Sequence, residues 1–468
     1  MRNSLSSAID PPTTTTLSPR RRGAVLITVA VALLMVVSAV SGLNVALPAL
    51  ARDTGASQTQ LTWVVDAYTV VLAGLLLGAG SLGDRYGRKG ILLVGLILFG
   101  AAAAWATQLS DPGLLVVARA LMGGGAAAVM PTTLSVITTS FPPEERGRAV
   151  GVWVGIAGGG AVLGLFGSGL LLEYFAWNSF FWLNVVLAVV ALTLTLAVVP
   201  SSREPGTALD VPGALLSLVA VGATVYTIIQ GADQGWGEPL TLGAAALAVL
   251  GLGGFVAREL RTDAPLLDVR LFAQRGFGAG SLSVTAQFFA AFGFLFIVLQ
   301  YLQFVVGRGP LLAATALLPL PLVMIPTARR SPGLAARIGT NVVSGGGLLC
   351  IATGLAVMSR LTVDFSPAVF YSGLVAFALG MGLAGTAATT AITESLPASQ
   401  QGVASAVNDV SRELGSALGI AILGSLLATS YRTGVAPALT DLPPRAAEAV
   451  SSSVAVVQTG LLDQLGPA

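Results

Sequence analysis

Residues 80–90 read Gly80-Ser81-Leu82-Gly83-Asp84-Arg85-Tyr86-Gly87-Arg88-Lys89-Gly90, between two long apolar runs. The glycines permit a tight turn and a close approach of neighbouring backbones. Three cations, Arg85, Arg88 and Lys89, keep such a loop on the side of a membrane where positive residues collect. Asp84 precedes them. A lone carboxylate there suits the N-terminus of an adjacent helix, where negative charge is favoured.

The runs on either side of this loop recur along the chain. Of 468 residues, 54% are hydrophobic and 10% charged, with a mean hydropathy of +0.84. A soluble chain of this size needs far more charge to cover its surface. Thirteen apolar stretches lie near 24–50, 62–82, 91–109, 113–139, 149–172, 180–199, 211–231, 239–257, 277–304, 312–328, 340–359, 367–391 and 403–430. Each is long enough to cross a hydrocarbon core of about 30 Å as a helix. Arg20, Arg21 and Arg22 precede the first of them as they would in a signal peptide. That stretch is too long for an h-region, so it reads as a retained helix.

Placing the N-terminus inside puts seventeen Lys and Arg residues in inner segments and five in outer ones; Arg119 and Arg412 fall within spans. This asymmetry orients the chain, with the N-terminus cytoplasmic and residues 431–468 extracytoplasmic. The organisation expected is a disordered tail 1–23, a six-helix bundle 24–199, a two-helix central insertion 200–276, a second bundle 277–430 with five helices visible, and the tail 431–468. A fourteenth span is missing from this count. Val450–Leu462, the best later stretch, is short and flanked by Glu448 and Asp463.

Several chemistries are excluded. Histidine is absent, which removes His-based catalysis and His metal sites. The single cysteine, Cys350, sits in an apolar run and reads as a buried, inert thiol. No metal site is expected. A net charge of +2 without a basic stripe gives no case for nucleic acid. Gly123-Gly124-Gly125 lacks the following Lys of a phosphate-binding loop and lies inside a span. Gly151, Gly155 and Gly159, and likewise Gly160 and Gly164, recur every four residues and read as helix-packing positions.

With these spans in place, the Gly80–Gly90 stretch resembles the signature loop of the major facilitator superfamily. The resemblance implies that Gly80, Asp84, Arg85, Gly87, Arg88 and Lys89 latch helix ends during alternating access. Further segments are similar to the fourteen-helix drug:proton antiporter branch of that family. They are Asn44–Pro48, Trp63–Tyr68, Arg119–Gly123, Trp177–Val185, Gln300–Gln303 and Ala404–Gly415. The implied fold is an all-α polytopic membrane protein, two pseudo-symmetric bundles with two extra central helices. The implied activity is proton-driven efflux of drugs, antibiotics or secondary metabolites from a bacterial cell, by a monomer in the plasma membrane, with no cofactor and no enzymatic step. Two positions depart from the branch. Ala39 stands where an acid is frequent, and Gly164-Leu165-Phe166-Gly167-Ser168-Gly169 lacks a proline. An uncoupled or importing transporter on the same scaffold is therefore the alternative.

Ionisable residues inside spans are costly and mark function by default. Asp66 lies fourteen residues from Gly80, roughly 21 Å along a helix. Arg119 is at similar depth on an equally oriented span, so the two are expected to meet. Their pairing either loads and releases a proton or forms a static ion pair. Asp409, Arg412 and Glu413 share one helix face by their i, i+3, i+4 spacing. Either they carry a proton or a cationic substrate, with Glu413 nearest mid-membrane, or Arg412 neutralises them and they only order a gate. Asn408 adjoins them, whereas Glu394 reads as a solvated loop residue. A small lipophilic substrate, cationic where charged, would be held mostly by apolar and aromatic contacts. Asn44, Trp63, Tyr68, Phe288, Phe292, Gln300 and Tyr301 are the candidate lining residues, with ordinary packing or lipid contact as the alternative.

Overall fold

A computed structural model describes residues 17–56, 58–201, 210–262 and 265–439. Thirteen helices are long and apolar enough to cross a membrane, and among the described residues there is no strand. In the first part of the chain run α1 (Pro19–Ser41), α2 (Leu43–Thr54), α3 (Gln58–Tyr86), α4 (Arg88–Ala106), α5 (Pro112–Ser140), α6 (Pro143–Tyr174) and α7 (Ser179–Val198). The central pair is α8 (Val211–Asp233) and α9 (Pro239–Glu259). There follow α10 (Arg275–Gln300), α11 (Pro310–Ala316), α12 (Pro319–Ile338), α13 (Thr340–Met358), α14 (Pro367–Glu394) and α15 (Gln401–Val435).

Many helices start on proline, whose fixed φ suits the first turn and whose missing N–H is no loss there. Pro19, Pro112, Pro239 and Pro367 all sit at such starts. Side-chain caps add to this. Asp111 Oδ1 accepts from Leu114 N at 2.8 Å, and Asp210 Oδ1 accepts from Gly213 N at 3.0 Å. Within lipid every backbone group must be satisfied internally, so uninterrupted helix is the default.

The interruptions differ from the sequence-based expectations. The first run is two helices, α1 and α2, which meet at Gly42. Gly42 sits against Phe180 and Ser168, leaving no room for a side chain. The run at 312–328 is likewise split, because Pro319 starts a new helix after a break at Leu317–Leu318. That second helix continues to Ile338 and carries Arg329, Arg330 and Arg337, which the sequence placed in a loop. Residues 19–23, expected in the disordered tail, are the first turns of α1. There Ser18 caps Arg21 N, and Arg22 pairs with Glu145 at 3.1 Å. Cys350 is half-buried rather than buried. The tail proposed at 431–468 begins as the last turns of α15; Val450–Leu462 lies outside the described residues.

Glycine sets how closely the helices approach. On α6, Gly151, Gly155 and Gly159 face α12, against Ala328, Ile325 and Pro321. Gly160 and Gly164 face α1 instead, against Val37 and Ser38. The two stripes thus serve two different neighbours. Gly123 of α5 meets the Tyr68 backbone, and Gly125 meets Phe99 and Gly95 of α4. The packing reading of all these glycines holds. The central helix α8 rests against both α3 and α15, with Leu218 over Gly74 and Ala214 near Gly78.

A polar clip joins α8 to α9. Arg258 Nη2 reaches Asp210 Oδ1 at 2.6 Å, and its Nε lies 2.9 Å from the same oxygen. Glu259 Oε2 accepts from Leu267 N at 3.0 Å, which fastens the following segment. Burial alone would raise the Asp210 carboxyl, but the Arg258 fork and the Gly213 N–H outweigh it. The group lies below its ordinary value.

The packing and the clip lead to three expected outcomes. Replacing Gly151 with Leu drives a side chain into the Ala328 carbonyl, at a cost of about 1–3 kcal/mol. Gly345, with open space around it, should accept Ala with a gain of up to about 1 kcal/mol. Thermal melts of the purified chain would read both. Because Asp210 is depressed on folding, its contribution is present above the unfolded carboxylate value and is lost as pH falls through the folded one. An Asp210→Asn chain should therefore lose the part of the acid destabilisation seen below about pH 4, a difference visible in melting temperature against pH.

Candidate functional site

The loop of residues 80–90 works as a clasp between α3 and α15. Gly80 and Gly402 bring the two backbones together, each leaving no space for a Cβ. That approach places Asp84 at the start of α15. Gly402 N donates to Asp84 Oδ2 at 2.8 Å and Oδ1 at 3.0 Å, and Val403 N donates at 3.3 Å. These are unsatisfied first-turn donors of a helix, aimed at a carboxylate. Arg88, 2% exposed, completes the clasp by donating to Asp84 Oδ1 at 2.9 Å and to Ala398 O at 2.8 Å. Gly87, at φ +103°, makes the turn that brings Arg88 back beneath α3. Lys89 donates to Leu196 O of α7 at 3.0 Å, while Arg85 lies over the Tyr86 ring.

Deeper in the molecule lie two groups of charges. In the first, Arg119 of α5 is fully buried. Its Nε donates to Val64 O at 2.9 Å, and its Cζ lies 4.4 Å from the centroid of the Tyr68 ring. Its two terminal nitrogens carry no hydrogen bond among the described residues. Tyr68 is fixed by donating to Val36 O of α1 at 3.0 Å. Asp66 is partly open and close enough to act electrostatically on Arg119. The sequence paired Asp66 directly with Arg119; the structure puts Tyr68 and the Val64 carbonyl against the guanidinium.

The second group is on α15. Arg412 Nη1 donates to Asp409 Oδ1 at 3.3 Å, and Asn408 donates to the same oxygen at 3.4 Å. Asn408 Oδ1 in turn accepts from Thr389 of α14 at 3.0 Å. Arg412 also crosses to α6, donating from Nη2 to Ala157 O at 3.3 Å. Its Cζ lies 5.0 Å from the Trp153 ring centroid and 4.5 Å from that of Phe288. Glu413, partly open, acts electrostatically on both Arg412 and Tyr68. Tyr68 is thus in contact with Arg119 and within electrostatic range of Glu413. Of the carboxylates here, Asp409 is in direct contact with a guanidinium, that of Arg412.

The remaining candidates scatter. Phe288 and Phe292 stack on one face of α10 with centroids 6.1 Å apart, and Phe288 reaches Arg412. Trp63 instead stacks on Tyr226 of α8 at 5.5 Å. Gln300 donates to Phe296 O within its own helix, and Tyr301 donates to Thr362 O at 2.8 Å, far along the chain from the charges. The side chain of Asn44 lies outside the described residues. Glu394 is exposed at the end of α14. Sequence reasoning passed over Trp153, which is 1% exposed and donates to Thr133 Oγ1 at 3.0 Å. The available signal was an indole N–H in mid-span, a group that needs an acceptor wherever lipid excludes water.

An all-helical bundle with a clasp at one end and buried charges where its two parts meet defines a polytopic membrane transporter. The chain belongs to the Major Facilitator Superfamily, whose model matches residues 29–420. It is 36% identical over 409 residues to the puromycin resistance protein pur8 of Streptomyces alboniger, covering 86% of this chain and 81% of that one. It is 34% identical over 422 residues to the multidrug efflux pump LfrA of Mycolicibacterium smegmatis, covering 88% and 82%. To the methyl viologen resistance protein SmvA of Salmonella typhimurium it is 35% identical over 406 residues, covering 84% and 80%. Among solved structures, the human organic anion transporter MFSD10 has the same fold at a TM-score of 0.63 and 15% identity, with 89% of this chain and 94% of that one covered. The proton:xylose symporter XylE matches at 0.59 and 13%, with 96% of each chain covered.

Converting Asp84 to Asn removes the charge that holds both Arg88 and the start of α15. Charge-assisted hydrogen bonds of this kind are worth about 1.5–3 kcal/mol, so the clasp should open roughly tenfold or more often. Ser405, fully buried in α15, placed as Cys in a Cys350→Ser background, should then react with a polar maleimide faster by a similar factor.

Proposed function

We propose that this chain is a proton-coupled secondary exporter of small lipophilic molecules, cationic where charged, working by alternating access in a bacterial plasma membrane. The observation that carries the reading is the set of charges within the membrane spans of both parts of the bundle: Arg119, Asp409 and Arg412, which are buried, and Asp66 and Glu413, which are partly open. A carboxylate away from water holds a proton well, and a guanidinium beside it favours release. A change in which guanidinium faces which carboxylate converts conformational change into proton uptake or loss. A proton and an organic cation then compete for the same negative charge, so inward flow of one drives outward movement of the other. The chemistry needs no cofactor and no covalent step.

The relatives support the direction of transport, since their names speak of resistance and efflux. The excess of Lys and Arg in segments on the side of the Gly80–Gly90 loop supports a cytoplasmic N-terminus. On this reading the clasp of Asp84, Arg88 and Gly402 closes the cytoplasmic end, and the far ends of the helices form the exit. The transporting unit is a single chain.

The test is proton movement in inverted membrane vesicles that respire to acidify their interior. Lipophilic cations and neutral antibiotics are added singly while a ΔpH-sensitive dye is followed. Wild-type chain should dissipate ΔpH when a substrate is added, and Asp66→Asn or Glu413→Gln should abolish the response. Substrate accumulation that leaves ΔpH untouched, or full response in both variants, would sink the coupling scheme.

A further inference from the structure

The placement of Arg412 is unusual for a residue three positions after an aspartate on the same helix. Asp409 Oδ2 is buried and has no hydrogen bond, and Arg412 Nε has none either. An i, i+3 pair can satisfy both at once with a fuller contact. Instead a single 3.3 Å bond joins them. The guanidinium is extended away from α15, across the contact between the two parts of the molecule, onto the Ala157 carbonyl and the faces of Trp153 and Phe288. Both rings are nearly inaccessible, at 1% and 7% exposed. Trp153 is held in place by its bond to Thr133, and Phe288 by its stack on Phe292.

Two aromatic faces and a carbonyl, stripped of water, make a receptor for a flat, delocalised cation. The guanidinium of Arg412 is itself such a cation. It also has a second berth on α15, at the unfilled Oδ2 of Asp409 and beside Glu413.

We propose that the Trp153–Phe288 faces form a seat for a planar monovalent organic cation, which Arg412 fills as a stand-in when no such cation is bound. The incoming cation displaces the guanidinium, which folds back onto Asp409 and Glu413. Loading then also removes the bond from Arg412 to Ala157, one of the links between α15 and α6. The inference rests on reading the interior as the substrate site, but not on proton coupling.

The test is equilibrium dialysis of the full-length chain in detergent, without any gradient, against ethidium and against phenanthridine, its neutral parent ring. Phe288→Leu and Trp153→Leu should weaken ethidium binding at least about tenfold more than phenanthridine binding. Trp153→Phe, which keeps a ring but loses the bond to Thr133, should retain most of the selectivity and stands in if the leucine variant fails to fold. Arg412→Gln should tighten ethidium binding several-fold, because the competitor is gone and both carboxylates remain. Equal losses for the two ligands, weaker ethidium binding in Arg412→Gln, or no ethidium binding by the wild type would each overturn the seat. A ΔpH response to a neutral substrate would still leave the exporter reading standing in those cases. Conversely, correct binding selectivity with no ΔpH response would retire proton coupling alone.

Discussion

A carboxylate seated on the first N–H groups of a helix fastens α3 to α15 at one end of this molecule. Asp84 reaches the start of α15 only because Gly80 and Gly402 let two backbones touch. Its position is kept by Arg88, which is itself buried and would be costly without that partner. Carboxylate, guanidinium and helix end thus depend on one another. The rest of the arrangement at this end follows from them, including the return of the chain at Gly87 and the seating of α8 beside α3 and α15.

The same economy of partners explains the interior. Arg119, Asp409 and Arg412 are buried, so each must find a carbonyl, an aromatic face or an opposite charge. Arg119 takes a carbonyl and a tyrosine, and Arg412 takes a carbonyl, a tryptophan and a phenylalanine. Both guanidiniums retain nitrogens without hydrogen bonds. Groups held that incompletely have donors to spare for another partner.

Much of this was legible in the residues. Hydropathy revealed thirteen spans because each is a continuous apolar run. The loop could be read because glycine, acid and base at fixed spacing have few other uses inside a membrane protein. Spacing alone put Asp409, Arg412 and Glu413 on one face. What the sequence hid were contacts between distant segments. No pattern along the chain says that Trp153 lies under Arg412, 259 positions later. The breaks at Gly42 and at Leu317–Leu318 were hidden for another reason: the apolar run continues through each bend, so hydropathy does not register it. Tyr68 was noticed as an aromatic, yet its place against the Arg119 guanidinium depends on the depth at which α3 and α5 cross.

The glycine stripe of α6 has a mechanical meaning. Gly151, Gly155 and Gly159 of α6 lie against Ala328, Ile325 and Pro321 of α12, with no side chain of their own at those three points. Most packed helices are geared together by interlocking ridges, so that any slip must lift one side chain over another. At these three positions one of the two surfaces has no teeth. At Gly155 and Gly159 the seam is closed by the side chains of one helix resting on the bare backbone of the other, so the separation of α6 and α12 is set there by Ile325 and Pro321.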